Sequence, residues 1–243
     1  MAPLGATRAV VPLVGAVLAV GAVPSASAAS CVPLAGEGVV AESRTAVVIK
    51  GGLEPEKESS GNYGNGSYYA CVLNVPRRIR IGSYHGGPLV EESLAAFQFA
   101  GRYLTFIQYE AGTGTAVEQY DLTTGRGTFN DISFRGTVRA SLNDGPPLAA
   151  SSDGDAAWIT EEDYYSKSYA SGTKPLWRER VVVHVGSKTE TFATYGPVHN
   201  NPVPVLSHPF VISGLRITQH TVAWVYNGRT IRHRLRQPRA HRR

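Results

Sequence analysis

The chain contains 243 residues, of which 42% are hydrophobic and 18% charged, and its formal net charge is +5. This composition is typical of a globular protein and excludes a collagen-like, disordered or multi-pass membrane protein. The positive charge is concentrated at one end, because the last fifteen residues contain seven arginines and no acidic residue, which leaves −2 for the rest.

Residues 1–28 have the pattern of a secretory signal peptide. Arg8 is their only charged side chain, an apolar run follows at 9–20, and small residues occupy the end of the segment up to Ala28. The apolar run is shorter than the ~20 residues that span a bilayer. We therefore expect a secreted or extracytoplasmic protein whose mature chain begins near Ala29 and has no transmembrane span. Retention of the segment as an uncleaved anchor is the alternative.

Cys31 and Cys71 are the two cysteines of the chain. In an oxidising compartment such an even pair favours a disulfide. The bond would close a loop of about 40 residues and contribute about 4 kcal/mol of stability. A lipid attached to Cys31 is the alternative, although that signal prefers a branched apolar residue where Ala28 lies. We predict the disulfide, which would tie the mature N-terminus to the domain.

Short runs rich in β-branched and aromatic residues, separated by turn residues, predict an all-β fold. Examples are 45–49, 103–107 and 180–185. Leu89–Ala96 is the one segment with a helix-like composition, and it is short. Strands separated by frequent turns therefore dominate the expected fold.

Four segments share a pattern of an apolar strand, a tight polar turn and a second strand with small and aromatic residues. They are 38–49, 94–107, 148–159 and 211–225. Their second strands align at Thr45, Arg102, Asp155 and Thr221, with spacings of 57, 53 and 66 residues. A repeat of this kind predicts small sheets that bury their faces by stacking on one another.

With this repeat, the chain resembles the β-propeller superfamily, in the loose style of TolB-like secreted bacterial repeat proteins, over residues 33–236. The segment 152–158 looks like the turn between the two innermost strands of a blade. The resemblance implies one propeller-like domain at 29–236, with about four degenerate antiparallel blades, before a basic tail at 237–243. An irregular β-sandwich is the alternative.

The motifs of common enzymes and metal sites are missing from the sequence. There is no Gly-x-Ser-x-Gly motif, and the seven histidines lack metal-site spacing. Asp153–Asp155 favours a turn rather than a calcium loop, and Glu161–Asp163 favours a solvated loop. We therefore expect no catalytic set, metal or cofactor, and a role as a binding or envelope-associated module. An exported hydrolase of unrecognised type is the alternative.

Two predicted loops, at 59–69 and 161–169, combine tyrosine with serine, glycine and asparagine. This composition is typical of adaptable binding surfaces, and a glycan or a protein could bind there. The predicted ligand-binding residues are Tyr63, Tyr68, Tyr69, Tyr164, Tyr165 and Tyr169. The alternative is that these tyrosines cover the edges of sheets.

The C-terminal segment predicts a hairpin with Asn227-Gly228 as its turn. Alternation along its second strand places Ile231, His233 and Leu235 toward the core, and arginines on the opposite face. The predicted polyanion-binding residues are Arg232, Arg234, Arg236 and Arg239, and an acidic cell-envelope polymer is the expected kind of partner. The alternative is a charged edge strand that prevents aggregation.

Overall fold

A computed structural model describes residues 31–51, 65–73, 75, 77–85, 93–110, 114–132, 137–138, 147–164, 176–199 and 212–235. Sixteen strands and no helix are found in these ranges, which confirms the all-β prediction. Within the same ranges there is accordingly no helix that could cross a membrane. Ser93–Ala96, the part of the helix-like segment that is described, begins a strand.

The strands form four antiparallel sheets that follow one another along the chain. The first contains β1 Gly38–Glu42, β2 Ala46–Lys50, β3 Asn65–Val72 and β4 Arg78–His85. The second contains β5 Ser93–Ala100, β6 Tyr103–Glu110, β7 Gly114–Asp121 and β8 Arg126–Ile132. The third contains β9 Thr137–Val138, β10 Leu148–Ala150, β11 Ala156–Tyr164, β12 Leu176–Val185 and β13 Lys188–His199. The fourth contains β14 Ile212–Thr218, β15 Thr221–Tyr226 and β16 Arg229–Arg234.

Each sheet is a meander in which strands adjacent in sequence pair with each other, except that the short β9 pairs with β11 beside β10. The four sequence repeats coincide with the first hairpin of each sheet. The first strands of three sheets also carry a β-bulge at a comparable point, between Val39 and Ala41, Ala95 and Gln98, and Ser213 and Arg216. The sequence repeat is therefore a structural unit that includes the local bend of its first strand.

Three apolar clusters join the sheets face to face in chain order, because each cluster takes its buried side chains from two successive sheets. Representative pairs are Val48 with Phe106, Val117 with Trp158, and Ile159 with Trp224. Among the described residues, no such cluster joins the first sheet to the fourth. In that part of the chain the stack has two outer faces, one on the first sheet and one on the fourth.

The predicted disulfide between Cys31 and Cys71 is present, with the two Cα atoms 5.6 Å apart. An ion pair reinforces it, since Arg78 Nη1 lies 2.7 Å from Glu37 Oε1. The hydrogen bond from Arg78 is the main reason that the pKa of Glu37 is lowered. Arg78 also donates to the carbonyl of Val32 at 2.7 Å. The segment before β1 is therefore held on the first sheet by one covalent bond and several polar ones.

Candidate functional site

The outer face of the fourth sheet is organised by the predicted hairpin, which is confirmed. β15 and β16 are joined by Asn227 and Gly228, whose φ angles are 49° and 74°. Both values are positive, as the two-residue turn of a tight hairpin requires, and Asn-Gly accepts this conformation at low cost. The turn fixes which residues of the two strands lie opposite each other.

This register brings three arginines onto one face. Ala223 in the central strand lies opposite Arg216 on one side and opposite Arg232 on the other. Thr221 lies opposite Arg234. Residues directly opposite each other in antiparallel strands project from the same side of the sheet. We call this side the arginine face, and it consists of Ser213, Arg216, Thr218, Thr221, Ala223, Val225, Thr230, Arg232 and Arg234.

The positive charge of the arginine face is not neutralised by any described residue. Arg216, Arg232 and Arg234 are exposed, and none of them makes an ion pair or a hydrogen bond with a described residue. Residues 212–235 contain no acidic side chain. Arg102 in the second sheet differs, since its Nε lies 3.4 Å from Asp121. The arginine face therefore offers unpaired guanidinium groups to an external anion.

The opposite side of the fourth sheet packs on the third sheet through aromatic residues. The indole of Trp224 donates a hydrogen bond to the hydroxyl of Tyr195 at 2.8 Å. The rings of Tyr195 and Tyr226 are stacked with centroids 3.9 Å apart. These contacts give the arginine face a firm support, because they fix β15 on the neighbouring sheet.

His233 corrects one expectation for this hairpin. Its position on the core-facing side is as predicted, with its ring parallel to Trp224 at a centroid distance of 5.2 Å. The side chain is nevertheless exposed rather than buried or half-buried. The reason is that β16 is an edge strand with a single neighbour, β15, so no strand covers its outer side.

The predicted arginine stripe is partly described. Arg232 and Arg234 lie on the arginine face, while Arg236 and Arg239 are outside the described residues. Arg216, the third member, was not identified from the sequence. Its signal is the alternation in β14, where Leu215 is 3% exposed and Ile217 is 8% exposed on either side of it. Reading the repeat by its period of two would have found it.

The tyrosines predicted to bind a ligand are dispersed. Tyr68 belongs to β3 rather than to a loop, and it is 3% exposed. Its ring meets Tyr84 edge-on at 5.4 Å, so it packs in the core, and we leave it out of the binding site proposed below. Tyr69 is half-buried on the same strand, with the Arg78 guanidinium 5.9 Å from its ring centroid. Tyr63, Tyr165, Tyr169 and the side chain of Tyr164 are outside the described residues.

The acidic run Glu161–Asp163 is also corrected, because it is part of β11 and not of a loop. Glu161 lies directly opposite Glu179 of β12. Glu179 is 6% exposed, and its Oε2 accepts a hydrogen bond from the backbone N–H of Ile212 at 2.9 Å. This carboxylate therefore fastens the start of the fourth sheet to the third. The pKa of Tyr109 is raised by burial and, to a smaller extent, by the charge of Glu161.

A polar cluster lies where the second and third sheets meet. Asp153–Asp155 forms the predicted turn, in which Gly154 has a φ of 93°. Asp155 Oδ1 accepts a hydrogen bond from the N–H of Gly186 at 3.3 Å, and burial raises its pKa. His184 Nε2 lies 3.0 Å from the carbonyl of Gly186, and burial lowers the histidine pKa. No group of three or more metal-ligating side chains occurs among the described residues, so the cluster supports the turn structurally.

Comparisons with known proteins leave the arginine face as the basis for assigning a function. No protein-family model, curated protein or solved structure matches this chain. The chemistry available on the described surface is then three unpaired guanidinium groups beside hydroxyl and methyl groups. That combination binds anions by charge and by hydrogen bonds.

Proposed function

We propose that this chain is an extracytoplasmic, non-catalytic binding protein whose arginine face binds an acidic polymer of the cell envelope. One observation carries the proposal: three exposed arginines share one side of a sheet that has no acidic residue. A row of fixed positive charges attracts a polyanion because binding releases the counterions of the polymer. The firm aromatic support behind the face keeps these charges in place.

The signal-like residues 1–28 and the disulfide support the compartment in this proposal, since disulfides persist in oxidising environments. The architecture in the proposal is a propeller-like array of four degenerate blades. Its support is the common meander order of the sheets, their stacking in chain order, and the position of β10, which contacts both β5 and β14. Such a scaffold presents a binding face without needing an active site.

A matched pair of variants tests the function. The first replaces Arg216, Arg232 and Arg234 with alanine, and the control replaces Arg44, Arg80 and Arg126, which are exposed arginines on other sheets. Both variants lose the same charge. Binding to immobilised heparin, as a general polyanion, is measured as the salt concentration is raised. We expect the first variant alone to lose affinity, with the salt slope reduced by about 3.

Equal loss in the two triple variants would mean that net charge rather than the arginine face controls binding, and it would contradict the proposal. Each variant is first checked by circular dichroism and thermal unfolding. Because the replaced side chains are exposed, we expect a change in unfolding free energy within about 0.5 kcal/mol for each of them.

An exported hydrolase is the second candidate, and one observation favours it. Glu161 and Glu179 lie directly opposite each other, and two neighbouring carboxylates are what many glycoside hydrolases use as acid and base. Glu179 is already engaged by the N–H of Ile212, which favours a structural role. Turnover in a panel of glycoside and ester substrates, lost in Glu161→Gln, would establish the hydrolase.

A further inference from the structure

We propose that the polymer bound by the arginine face carries phosphate groups and lacks aromatic bases, as a polyol phosphate or a polyphosphate does. Two successive phosphates would lie over two neighbouring rows of the face. This inference rests on the proposed function and specifies its ligand. It is carried by the register of the three strands, by the kinds of side chain in each row and by the absence of rings from the face.

The two rows run across the sheet. The first row is Arg216, Ala223 and Arg232, and the second is Thr218, Thr221 and Arg234. Strands in a sheet are about 4.8 Å apart, so the Cα atoms of the two arginines in the first row are about 9.6 Å apart. Successive rows on one face are separated by two residues, or about 6.7 Å. The face therefore has two anion positions about one row apart.

The first row suits a tetrahedral anion. Two guanidinium groups flank the methyl group of Ala223, which leaves room above it for an anion to approach both. Each guanidinium donates two parallel hydrogen bonds in its own plane. A planar carboxylate is saturated by one such group, whereas the oxygens of a phosphate point in different directions and accept from two. Arginine on both sides of the row thus favours phosphate over carboxylate.

The second row adds hydroxyl donors to a single guanidinium. Arg234 lies opposite Thr221, and the Thr221 and Thr218 hydroxyl oxygens are 3.2 Å apart. Threonine hydroxyls and arginine together are common donors to the oxygens of a phosphate backbone. A second phosphate over this row would continue the polymer along the strand direction.

The arginine face contains no aromatic residue among its nine members. Proteins that bind single-stranded nucleic acid usually stack the bases on aromatic rings. The rings of the fourth sheet, Trp224, Tyr226 and His233, belong to its other side. A polymer bound here is therefore recognised by its backbone charge, and bases would add no affinity.

Four soluble polymers of equal charge count test the inference by fluorescence anisotropy of the full chain. They are inorganic polyphosphate, poly(glycerol phosphate), polygalacturonate and single-stranded DNA. We expect both phosphate polymers without bases to bind at least tenfold more tightly than polygalacturonate. DNA is expected to bind no more tightly than an abasic strand of the same length.

The variant Arg232→Lys keeps the charge and removes the planar pair of donors, with Arg126→Lys as its control. We expect Arg232→Lys to weaken binding of the two phosphate polymers at least fivefold and to leave the binding of polygalacturonate within twofold. Equal binding of all polyanions, or tighter binding of DNA than of the abasic strand, would overturn this inference while leaving the proposed function. Failure to bind any of the polymers would overturn both.

Discussion

Phe129 of the second sheet is stacked on His184 of the third, with ring centroids 4.0 Å apart and planes inclined by 23°. The same Phe129 ring faces Trp158 at 6.2 Å, so His184 is part of an aromatic contact between two sheets. The imidazole is 8% exposed, and burial lowers its pKa. Protonation of this one ring therefore acts on the packing between the sheets.

This contact predicts a loss of stability in mild acid. The unfolded chain binds a proton at His184 near the ordinary pKa of about 6.5, whereas the folded chain binds it only at lower pH. Between these two values the unfolded state holds more protons, so the free energy of unfolding falls as the pH falls. The partly compensating charges of Asp131 and Asp155 face the ring and do not reverse the shift. Urea unfolding at pH 7.5 and pH 5.0 measures the loss.

The variant His184→Gln is the comparison for that measurement, because it keeps a side-chain donor and has no ionisable group there. We expect the wild-type chain to lose more stability than the variant between the two pH values. Parallel pH profiles for the two proteins would show that His184 does not couple protonation to folding.

Asp155 predicts the opposite sign. Burial is the largest influence on its carboxyl group and raises its pKa above the ordinary value of 3.8. The stability that this shift contributes is complete below that value and is lost as the pH rises through the folded pKa. At neutral pH, Asp155→Asn removes a buried charge and retains an oxygen that accepts from Gly186. We expect a higher melting temperature at pH 7 and a smaller gain at pH 3.5, whereas Asp153→Asn, at an exposed position, should change little.

Local signals made part of this fold predictable from the sequence. Asn227-Gly228 predicts its hairpin because few dipeptides accept two successive positive φ angles. Cys31 and Cys71 predict their bond because they are the two thiols of the chain. The repeated first hairpins were found because each alternates with a period of two and ends in a polar turn.

The errors came from features that depend on neighbours distant in sequence. Tyr68 and Glu161 stand in polar surroundings that are typical of loops, but both lie in strands whose partners are 20 or more residues away in at least one direction. His233 follows the predicted alternation, and its exposure depends on whether another strand covers β16. Arg216 is 16 residues from Arg232, and only the pairing through Ala223 shows that they share a face.

Removing the disulfide should destabilise the chain strongly. Cys71 is fully buried, and the bond closes a separation of 40 residues. Replacing both cysteines with serine should lower the free energy of unfolding by about 4 kcal/mol, since the unfolded chain regains the freedom of that loop. Urea unfolding with and without a reducing agent measures the change. A double variant as stable as the oxidised chain would refute a stabilising role for the bond.

Gly66 in β3 should tolerate no side chain. A Cβ at this position would lie 2.2 Å from Cζ of Tyr84, a buried ring whose hydroxyl donates to the carbonyl of Gly51 at 2.5 Å. Gly66→Ala therefore requires the ring to move or the hydrogen bond to break, at a cost of about 1–3 kcal/mol. Gly127→Ala is the control, because its Cβ would meet only the carbonyl of Gln119 at 3.9 Å. Equal melting temperatures for the two variants would contradict this account of the Gly66 contact.

Ala223 gives the sharpest test of the arginine face, because it lies opposite Arg216 and Arg232 at once. Ala223→Glu places a carboxylate between the two guanidinium groups, where it competes with any external anion. Pairs of opposite charge in neighbouring strands contribute about 0.2–1 kcal/mol, so the fold should keep its stability within about 1 kcal/mol. Binding of polyphosphate should fall at least tenfold.

The control is Ser187→Glu, which adds the same charge at the exposed turn of the third sheet. It should reduce binding less than twofold, because charges separated by more than about 10 Å are largely screened at 0.1 M salt. Anisotropy titrations of both variants at that salt concentration decide the matter. If the two variants bound polyphosphate equally, the anion would be attracted by the overall charge of the protein, and the row formed by Arg216, Ala223 and Arg232 would not be its binding position.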